Sequence, residues 1–400
     1  MSSLFDSRRH EPLAAEPWSE SKAREVIAEI ANEAIQAFSS TDLYPAHPQD
    51  ELGESRPGSA HYFGAGGVLW ALDYLSRQGM TRVDTQWLVD GLSVIVDRVA
   101  AELGDSPLSQ EVSYLFGDLP ILMQLVELTG ADEWRERLVS RISASVERPV
   151  KEMMWGTPGV LIATRLIQDT SVLDAIAEFE GANINKMFEQ WNHELDGLMI
   201  WDQELYGERR PFIGPVHGFT GQVLPLLQRI DELDDERAAL TLLRSKLHLA
   251  NTARRGDGCA NWPAVQQAAI DMPAMAQYCH GAPGVVTSYC AYPREPEVDQ
   301  LLIEGGELTW QAGPLCKGSN LCHGTGGNGY AFLKLYERTG DMLWLDRARA
   351  FAMHGITQYE REKAKVGHQR FSLWTGDPGF AIYLAGCINV EAAFPTVDVF

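Results

Sequence analysis

The stretch Leu321-Cys-His-Gly-Thr-Gly-Gly-Asn-Gly-Tyr-Ala-Phe-Leu333 joins a glycine-rich turn to the start of an apolar segment. Its turn is one of seven in the 400-residue chain, each made of glycine, two residues and a second small or turn-forming residue. The copies are Gly64–Gly67, Gly117–Pro120, Gly156–Gly159, Gly218–Gly221, Gly281–Gly284, Gly324–Gly327 and Gly376–Gly379. Self-similarity at intervals of roughly 40 to 60 residues is typical of a repeat architecture.

The segments around the turns indicate two kinds of helix. A run that is apolar on most faces follows the turns, as in GVLWALDYL, PILMQLVEL and GVLIATRLI, which predicts helices buried on nearly all sides. The next segments, such as RERLVSRISASV, are amphipathic. We therefore predict an all-α fold, an α/α toroid with a double ring of seven inner and seven outer helices. An open helical solenoid is the alternative, and closure is favoured because it removes the end faces that a stack must cap.

The domain organisation follows from the same repeat. No linker interrupts it, so residues 1–400 are predicted to form a single domain. Residues 1–60 supply an N-terminal arm, a first outer helix and a loop. Proline and glycine mark residues 41–60 and 253–273 as loops, and long loops in a compact fold are often functional lids.

Composition excludes several classes of protein. A net charge of -22 repels nucleic acid and anionic membrane surfaces. The N-terminus has no apolar core of a signal peptide, and no segment approaches the ~18 apolar residues of a membrane span. Six sparse cysteines show no disulfide spacing and are predicted to be reduced thiols of a cytoplasmic protein.

Histidine precedes the first glycine of three turns, and in two of them cysteine precedes the histidine: Cys279-His280-Gly281 and Cys322-His323-Gly324. The third is Val216-His217-Gly218. Equivalent positions of a closed ring point toward a common axis, so these side chains should converge. Two thiolates with one or two imidazoles suit zinc, and three protein ligands leave the fourth position open, as a catalytic zinc requires. The alternative is that Cys-His-Gly is only a tight turn with a small buried cysteine. The other four cysteines are predicted to be buried apolar residues.

The motifs Tyr278-Cys-His-Gly-Ala-Pro-Gly-Val285 and Leu321–Leu333 resemble the zinc motifs of the lanthionine synthetase C-like (LanC-like) family, and the resemblance runs from about Gly64 to the end of the chain. That family includes bacterial lanthipeptide cyclases and eukaryotic glutathione-binding proteins, and its fold is a double ring of helices. The resemblance implies the following site residues: Cys279, Cys322 and His323 as zinc ligands, His217 and His280 as catalytic groups, and Lys317, Arg370 and Glu152 as substrate-binding groups.

Two departures favour the glutathione-binding branch. Met275 stands where peptide cyclases usually carry arginine, and His280 stands where they tend to carry tyrosine. The predicted function is zinc-dependent activation of a thiol, either glutathione or a peptide cysteine. The thiol would add to dehydroalanine or dehydrobutyrine in a peptide or protein and form a thioether.

Two other functions remain as alternatives. One is a non-catalytic zinc- and glutathione-binding sensor or partner-binding protein, with zinc closed by a fourth ligand such as His280. The other is a toroidal enzyme acting on carbohydrate or isoprenoid, since ring-shaped helical folds host several chemistries. That enzyme would need paired carboxylates on the turns. Asp118 and Asp377 are present there, but helix capping is predicted to account for both.

Overall fold

The computed structural model describes residues 4–50, 58–103, 112–148, 150, 152–202, 204–205, 207–269 and 272–400. Fourteen α-helices lie in these residues and alternate between two layers. The inner helices are α2 (Ala65–Arg77), α4 (Leu119–Thr129), α6 (Thr157–Leu166), α8 (Phe219–Leu227), α10 (Ala282–Tyr289), α12 (Thr325–Thr339) and α14 (Asp377–Asn389). The outer helices are α1 (Glu20–Ala37), α3 (Thr85–Leu103), α5 (Asp132–Ser145), α7 (Thr170–Gln190), α9 (Asp235–Thr252), α11 (Pro296–Ala312) and α13 (Met342–Val366). Each predicted turn lies at the start of an inner helix, and in six of the seven the first glycine is the N-cap residue and the rest of the turn is already helical.

Burial separates the two layers as the hydrophobic pattern predicts. Every residue of α8 and of α10 is buried, whereas α9 buries only one side of its surface. A helix that is apolar all round is stable only when other elements cover it, so the turn-following helices occupy the inner ring. Glycine ends two of these helices: Gly130 after α4 and Gly340 after α12 both adopt the left-handed conformation. This agrees with glycine as a helix stop.

The ring is closed. Helix α14 packs against α2, its neighbour at the other end of the repeat series, and the N-terminal helix α1 packs on α14. The first outer helix therefore covers the last inner helix, which rules out the open solenoid. One apolar core extends through both layers from Leu4 to Phe400.

A chain of backbone hydrogen bonds joins the turns at one end of the ring. The residue two positions before the first turn glycine takes part each time: Cys279 N donates to Cys322 O at 3.1 Å, and Cys322 N donates to Trp374 O at 2.8 Å. Trp374 N then donates to Tyr62 O at 3.0 Å, and Tyr62 N donates to Leu115 O at 2.9 Å. Equivalent positions of different repeats thus meet around a common hub, as predicted.

Close backbone packing at the hub accounts for the second glycine of the turns. A Cβ atom on Gly221 would lie 1.8 Å from the carbonyl oxygen of Pro215. We expect Gly221→Ala to lower the free energy of unfolding by at least ~3 kcal/mol, because backbone must move to relieve the overlap. Urea denaturation measures the change. Gly181→Ala is the control, since its Cβ in α7 would meet nothing within 4 Å and alanine there should stabilise by about 0.5–1 kcal/mol. Equal stability of the two variants would contradict this account of the turns.

Three two-stranded antiparallel hairpins are present in addition to the helices. They pair β1 (His193–Leu195) with β2 (Leu198–Ile200), β3 (Glu204–Leu205) with β4 (Glu208–Arg209), and β5 (Arg254–Gly256) with β6 (Cys259–Asn261). The last hairpin lies within residues 253–273, so the prediction of a plain loop there was incomplete. Residues 51–57 of the loop 41–60 lie outside the described residues. Among the described helices, none is long and apolar enough to cross a membrane.

Candidate metal centre

Two cysteine sulfurs and one imidazole meet at the hub of the ring. The ligand atoms of Cys279, Cys322 and His323 all lie within 4.8 Å of one another. A tetrahedral zinc ion with bonds of about 2.0 to 2.3 Å holds its ligand atoms roughly 3.3 to 3.8 Å apart, so the three groups are within reach of one ion. Two thiols and an imidazole are also the donor types that zinc prefers. The three predicted ligands therefore fit a zinc ion in both distance and chemistry.

Each of the two sulfurs accepts a hydrogen bond from a neighbouring side chain. Tyr62 Oη donates to Cys322 Sγ at 2.8 Å, and Gln277 Nε2 donates to Cys279 Sγ at 2.9 Å. The hydrogen bond from Cys322 lowers the pKa of Cys279, burial opposes that shift, and the hydrogen bond from Gln277 lowers the pKa further. The surroundings of Cys279 thus favour the thiolate, which is the form that binds a metal.

His323 is held at the rim of the hub and faces positive charge. Its backbone N–H donates to Asn320 Oδ1 at 3.0 Å, which fixes the turn that carries it. Burial lowers the pKa of His323 to about 4, and the charges of Lys317, Arg370 and Arg9 add to this effect. The imidazole is therefore neutral at neutral pH, as metal ligation requires.

His217 precedes the turn at Gly218, and the buried carboxylate of Glu152 faces its imidazole. Its Nδ1 is 3.5 Å from Oε2 of Glu152, which is fully buried and also accepts from Met154 N at 2.8 Å. Burial lowers the pKa of His217, but the hydrogen bond and charge of Glu152 and the charge of Cys279 outweigh it, so the pKa is raised. Glu152 faces the histidine, and its predicted role as a substrate contact stays a prediction.

His280 lies beside this pair rather than in the ligand cluster. Its ring centroid is 6.3 Å from that of His217 and 5.8 Å from that of Phe212. No fourth histidine, cysteine or carboxylate joins the 4.8 Å cluster within the part of the chain that the structure describes. The position of His280 therefore gives no support to a zinc site closed by that residue.

Lys317 and Arg370 line the same polar pocket, and both act electrostatically on His323. The Lys317 side chain is exposed, whereas Arg370 is largely buried. Arg370 Nε donates to Asp50 Oδ1 at 2.8 Å, so this cation already has a carboxylate partner. The two cations thus differ in availability, and their predicted role in binding substrate stays a prediction.

The sequence profile described as "Lanthionine synthetase C-like protein" matches residues 18–399. The chain belongs to this family. The match begins well before Gly64, so the resemblance extends further toward the N-terminus than the motifs indicated.

Two curated LanC-like relatives come from eukaryotes. "Glutathione S-transferase LANCL1" of Danio rerio is 32% identical over 203 residues, which cover 50% of this chain and 47% of that protein. "LanC-like protein GCL1" of Arabidopsis thaliana is 31% identical over 197 residues, which cover 47% of this chain and 43% of that protein. The matched region thus spans about half the length of these relatives.

A solved structure named "Nisin cyclase" shares the fold. It superimposes with a TM-score of 0.60 and 13% identity, covering 92% of this chain and 93% of that one. The likeness extends over nearly both whole chains, and at this identity it shows the LanC-type toroid alone.

Three residues of this LanC-like site were missed in the sequence: Arg9, Tyr62 and Gln277. Arg9 Nη2 donates to Gln277 Oε1 at 2.7 Å, so the N-terminal arm reaches the hub. The repeat register contained a signal for Tyr62, because it stands two residues before Gly64, as Cys279 does before Gly281. Gln277 stands four residues before Gly281, as Glu152 does before Gly156, whereas Arg9 lies outside the repeat and carries no comparable signal.

Three sequence predictions near the hub were wrong. Asp118 makes no side-chain cap to α4 and pairs with Arg141 at 2.9 Å. Asp377 also does not cap: its oxygens accept from Arg370 N at 2.7 Å and Ser319 Oγ at 3.3 Å. Cys316 was predicted to be buried but is exposed, as is its neighbour Lys317. All six cysteines are free thiols, as predicted.

Proposed function

We propose that the chain binds one zinc ion through Cys279, Cys322 and His323 and adds a thiol to dehydroalanine or dehydrobutyrine, forming a thioether. The observation that carries the proposal is the three-ligand cluster with a histidine–carboxylate pair beside it. Three protein ligands leave one coordination position for the substrate sulfur. Zinc bound there would supply the positive charge that keeps a thiol deprotonated at neutral pH.

His217 is the proposed proton donor. The substrate sulfur forms a bond to the β-carbon of the dehydroamino acid, and the electron pair of the carbon–carbon double bond moves toward the carbonyl oxygen. His217 then delivers a proton to the α-carbon, which completes the addition without a leaving group. Its raised pKa increases the protonated fraction at neutral pH. The proton released when the thiol binds restores the charge on the imidazole.

Glu152 and His280 support this step in different ways. Glu152 is fully buried behind His217, so it orients the imidazole and stabilises its charged form. His280 lies on the neighbouring turn, where an N–H of its ring can donate to the substrate carbonyl oxygen as negative charge develops there.

Glutathione is the thiol that the surrounding charge favours. Lys317, Arg370 and Arg9 all act electrostatically on His323, so three cations lie near this proposed ligand in a protein of net charge -22. Carboxylates of the tripeptide can pair with these cations. The name of the Danio rerio relative also refers to glutathione. Exposed Lys317 is directly available, whereas Arg370 must share or exchange its bond to Asp50.

Incubation of the zinc-loaded protein with glutathione and a synthetic dehydroalanine peptide tests the function. We expect mass spectrometry to show one glutathione added per dehydroalanine, well above the protein-free rate. With 2-mercaptoethanol, a thiol that lacks carboxylates, KM should be at least ~10-fold higher, because charge-assisted contacts contribute about 1.5–3 kcal/mol. Glutathione binding without any adduct would overturn the enzymatic proposal and support the sensor. Equal KM values for the two thiols would show that the cations do not bind the carboxylates of glutathione.

A further inference from the structure

The two sulfurs of the proposed metal site each accept a hydrogen bond from a side chain, one from a distant repeat and one from two residues away in the same turn. Tyr62 Oη donates to Cys322 Sγ at 2.8 Å, and Gln277 Nε2 donates to Cys279 Sγ at 2.9 Å. Tyr62 is fixed by stacking on Trp374, with ring centroids 5.4 Å apart and planes at 23°. Gln277 is buried, so its amide needs partners for both of its polar ends.

Arg9 determines which end of the Gln277 amide faces the sulfur. A guanidinium group has donors only, so it accepts no hydrogen bond from the amide nitrogen. The contact between Arg9 Nη2 and Gln277 Oε1, at 2.7 Å, therefore turns the amide oxygen toward the arm. The amide nitrogen is left facing Cys279 Sγ, where it donates.

The arm that carries Arg9 is itself held in place on both sides of this residue. Cys316 N donates to the Arg9 carbonyl oxygen at 2.9 Å, and Glu11 N donates to Pro314 O at 2.9 Å. Further along, Glu11 Oε1 lies 2.9 Å from His354 Nε2 and accepts from Gln358 Nε2 at 2.7 Å. Toward the N-terminus, Asn261 Nδ2 donates to Leu4 O at 2.6 Å. The arm is thus packed as part of the ring.

We propose that Gln277 is a positioning residue of the metal centre, oriented by Arg9, and that it and Tyr62 set the electron donation of the two sulfur ligands. The N-terminal arm is in this way part of the centre. This inference rests on the proposed zinc site and adds three residues beyond the proposed ligands.

The physical effect is on the charge of the sulfurs. A hydrogen bond to a thiolate lowers the energy of its lone pairs, and it fixes the position of the ligand before the metal arrives, which favours binding. Groups hydrogen-bonded to metal ligands typically contribute 10–100-fold to metal affinity or activity. Loss of either donor should therefore weaken zinc binding and alter the electronic structure of a metal–sulfur bond.

Gln277→Leu, Arg9→Met and Tyr62→Phe test the proposal in the full-length protein. We expect Gln277→Leu to raise the Kd for zinc by roughly 10-fold in a chelator competition without thiol substrate. Tyr62→Phe should act in the same direction, and Arg9→Met less strongly. In the Co²⁺-substituted protein, the sulfur-to-cobalt charge-transfer band should move to longer wavelength in each variant, because sulfur lone pairs without a donor lie higher in energy.

A double variant tests whether Arg9 acts through Gln277. If it does, Arg9→Met combined with Gln277→Leu will bind zinc no more weakly than Gln277→Leu alone. Arg8→Met is the matched control: its side chain is 86% exposed and pairs with Asp6, so both readouts should stay at the wild-type values.

The outcomes separate this inference from the proposed function. A wild-type protein that binds no zinc would refute the metal site itself. A zinc-binding wild type whose Gln277→Leu and Tyr62→Phe variants keep the Kd and the band position would refute only the inference. Additive losses in the double variant would show that Arg9 does not act through Gln277. Thermal denaturation of each variant identifies any loss of zinc that reflects unfolding.

Discussion

Replacing Cys322 by alanine should reduce bound zinc from about one ion per chain to near zero, because a site with one sulfur and one imidazole lacks the third protein ligand. The sulfur of Cys322 lies at the centre of the cluster: it belongs to the 4.8 Å group and interacts with Cys279 and Tyr62. Metal content of the purified proteins, measured by inductively coupled plasma mass spectrometry, gives the answer directly. Thioether formation should fall to the background rate in the same variant.

Cys316→Ala is the matched control for this measurement. Cys316 lies six positions earlier in the chain, is exposed, and is not part of the cluster. It should retain the full complement of zinc. Equal zinc in wild type and in Cys322→Ala would remove Cys322 and the neighbouring His323 from the site and would end the proposal of a catalytic zinc.

The second large effect is expected at His217. His217→Asn should lower kcat for addition of glutathione by about 10²–10⁴-fold, because a positioned general acid contributes that much to a proton transfer. Zinc content and the KM for glutathione should change little, since His217 lies outside the ligand cluster and the three cations are untouched. Steady-state kinetics with a dehydroalanine peptide measures both parameters.

His193→Asn is the control for His217, because His193 is exposed in β1 and lies on a hairpin of the outer surface. Its kinetics should match the wild type. If His217→Asn retained its kcat, the proton would have to come from another group, and the assignment of the histidine–carboxylate pair would be wrong. A parallel loss of zinc would instead place His217 among the groups that maintain the metal site.

The toroid and the meeting of Cys279 with Cys322 were predictable because both follow from a local pattern repeated along the chain, whereas His323 as the third proposed ligand came from the family resemblance. Each copy places the same kind of turn before the same kind of buried helix, so one rule predicts all seven inner helices. The register of the turns then brings Cys279 and Cys322 together, since residues two positions before the first glycine meet at the hub. The ring closure of α14 on α2 agrees with the same rule.

The substrate side of the site was less predictable. Lys317 and Arg370 were identified only through the family resemblance, and their contacts differ: Arg370 is paired with Asp50 from the long loop. The turn aspartates also misled, since Asp377 occupies a position where capping is common but bonds to the backbone of Arg370 instead. A short-range rule fails where a polar side chain bonds to a group outside the helix that it was expected to cap.

The sequence by itself determined the class of fold, the seven-fold repeat and the meeting of the two cysteine–histidine turns, because glycine, apolar and cysteine–histidine positions act within each repeat. Only the tertiary structure decided that Tyr62 contacts Cys322 and that Arg9 contacts Gln277. Arg9 and Gln277 are separated by 268 positions and Tyr62 and Cys322 by 260. Contacts of that range depend on how the closed ring packs its arm and turns together, and no local preference of the polypeptide encodes them.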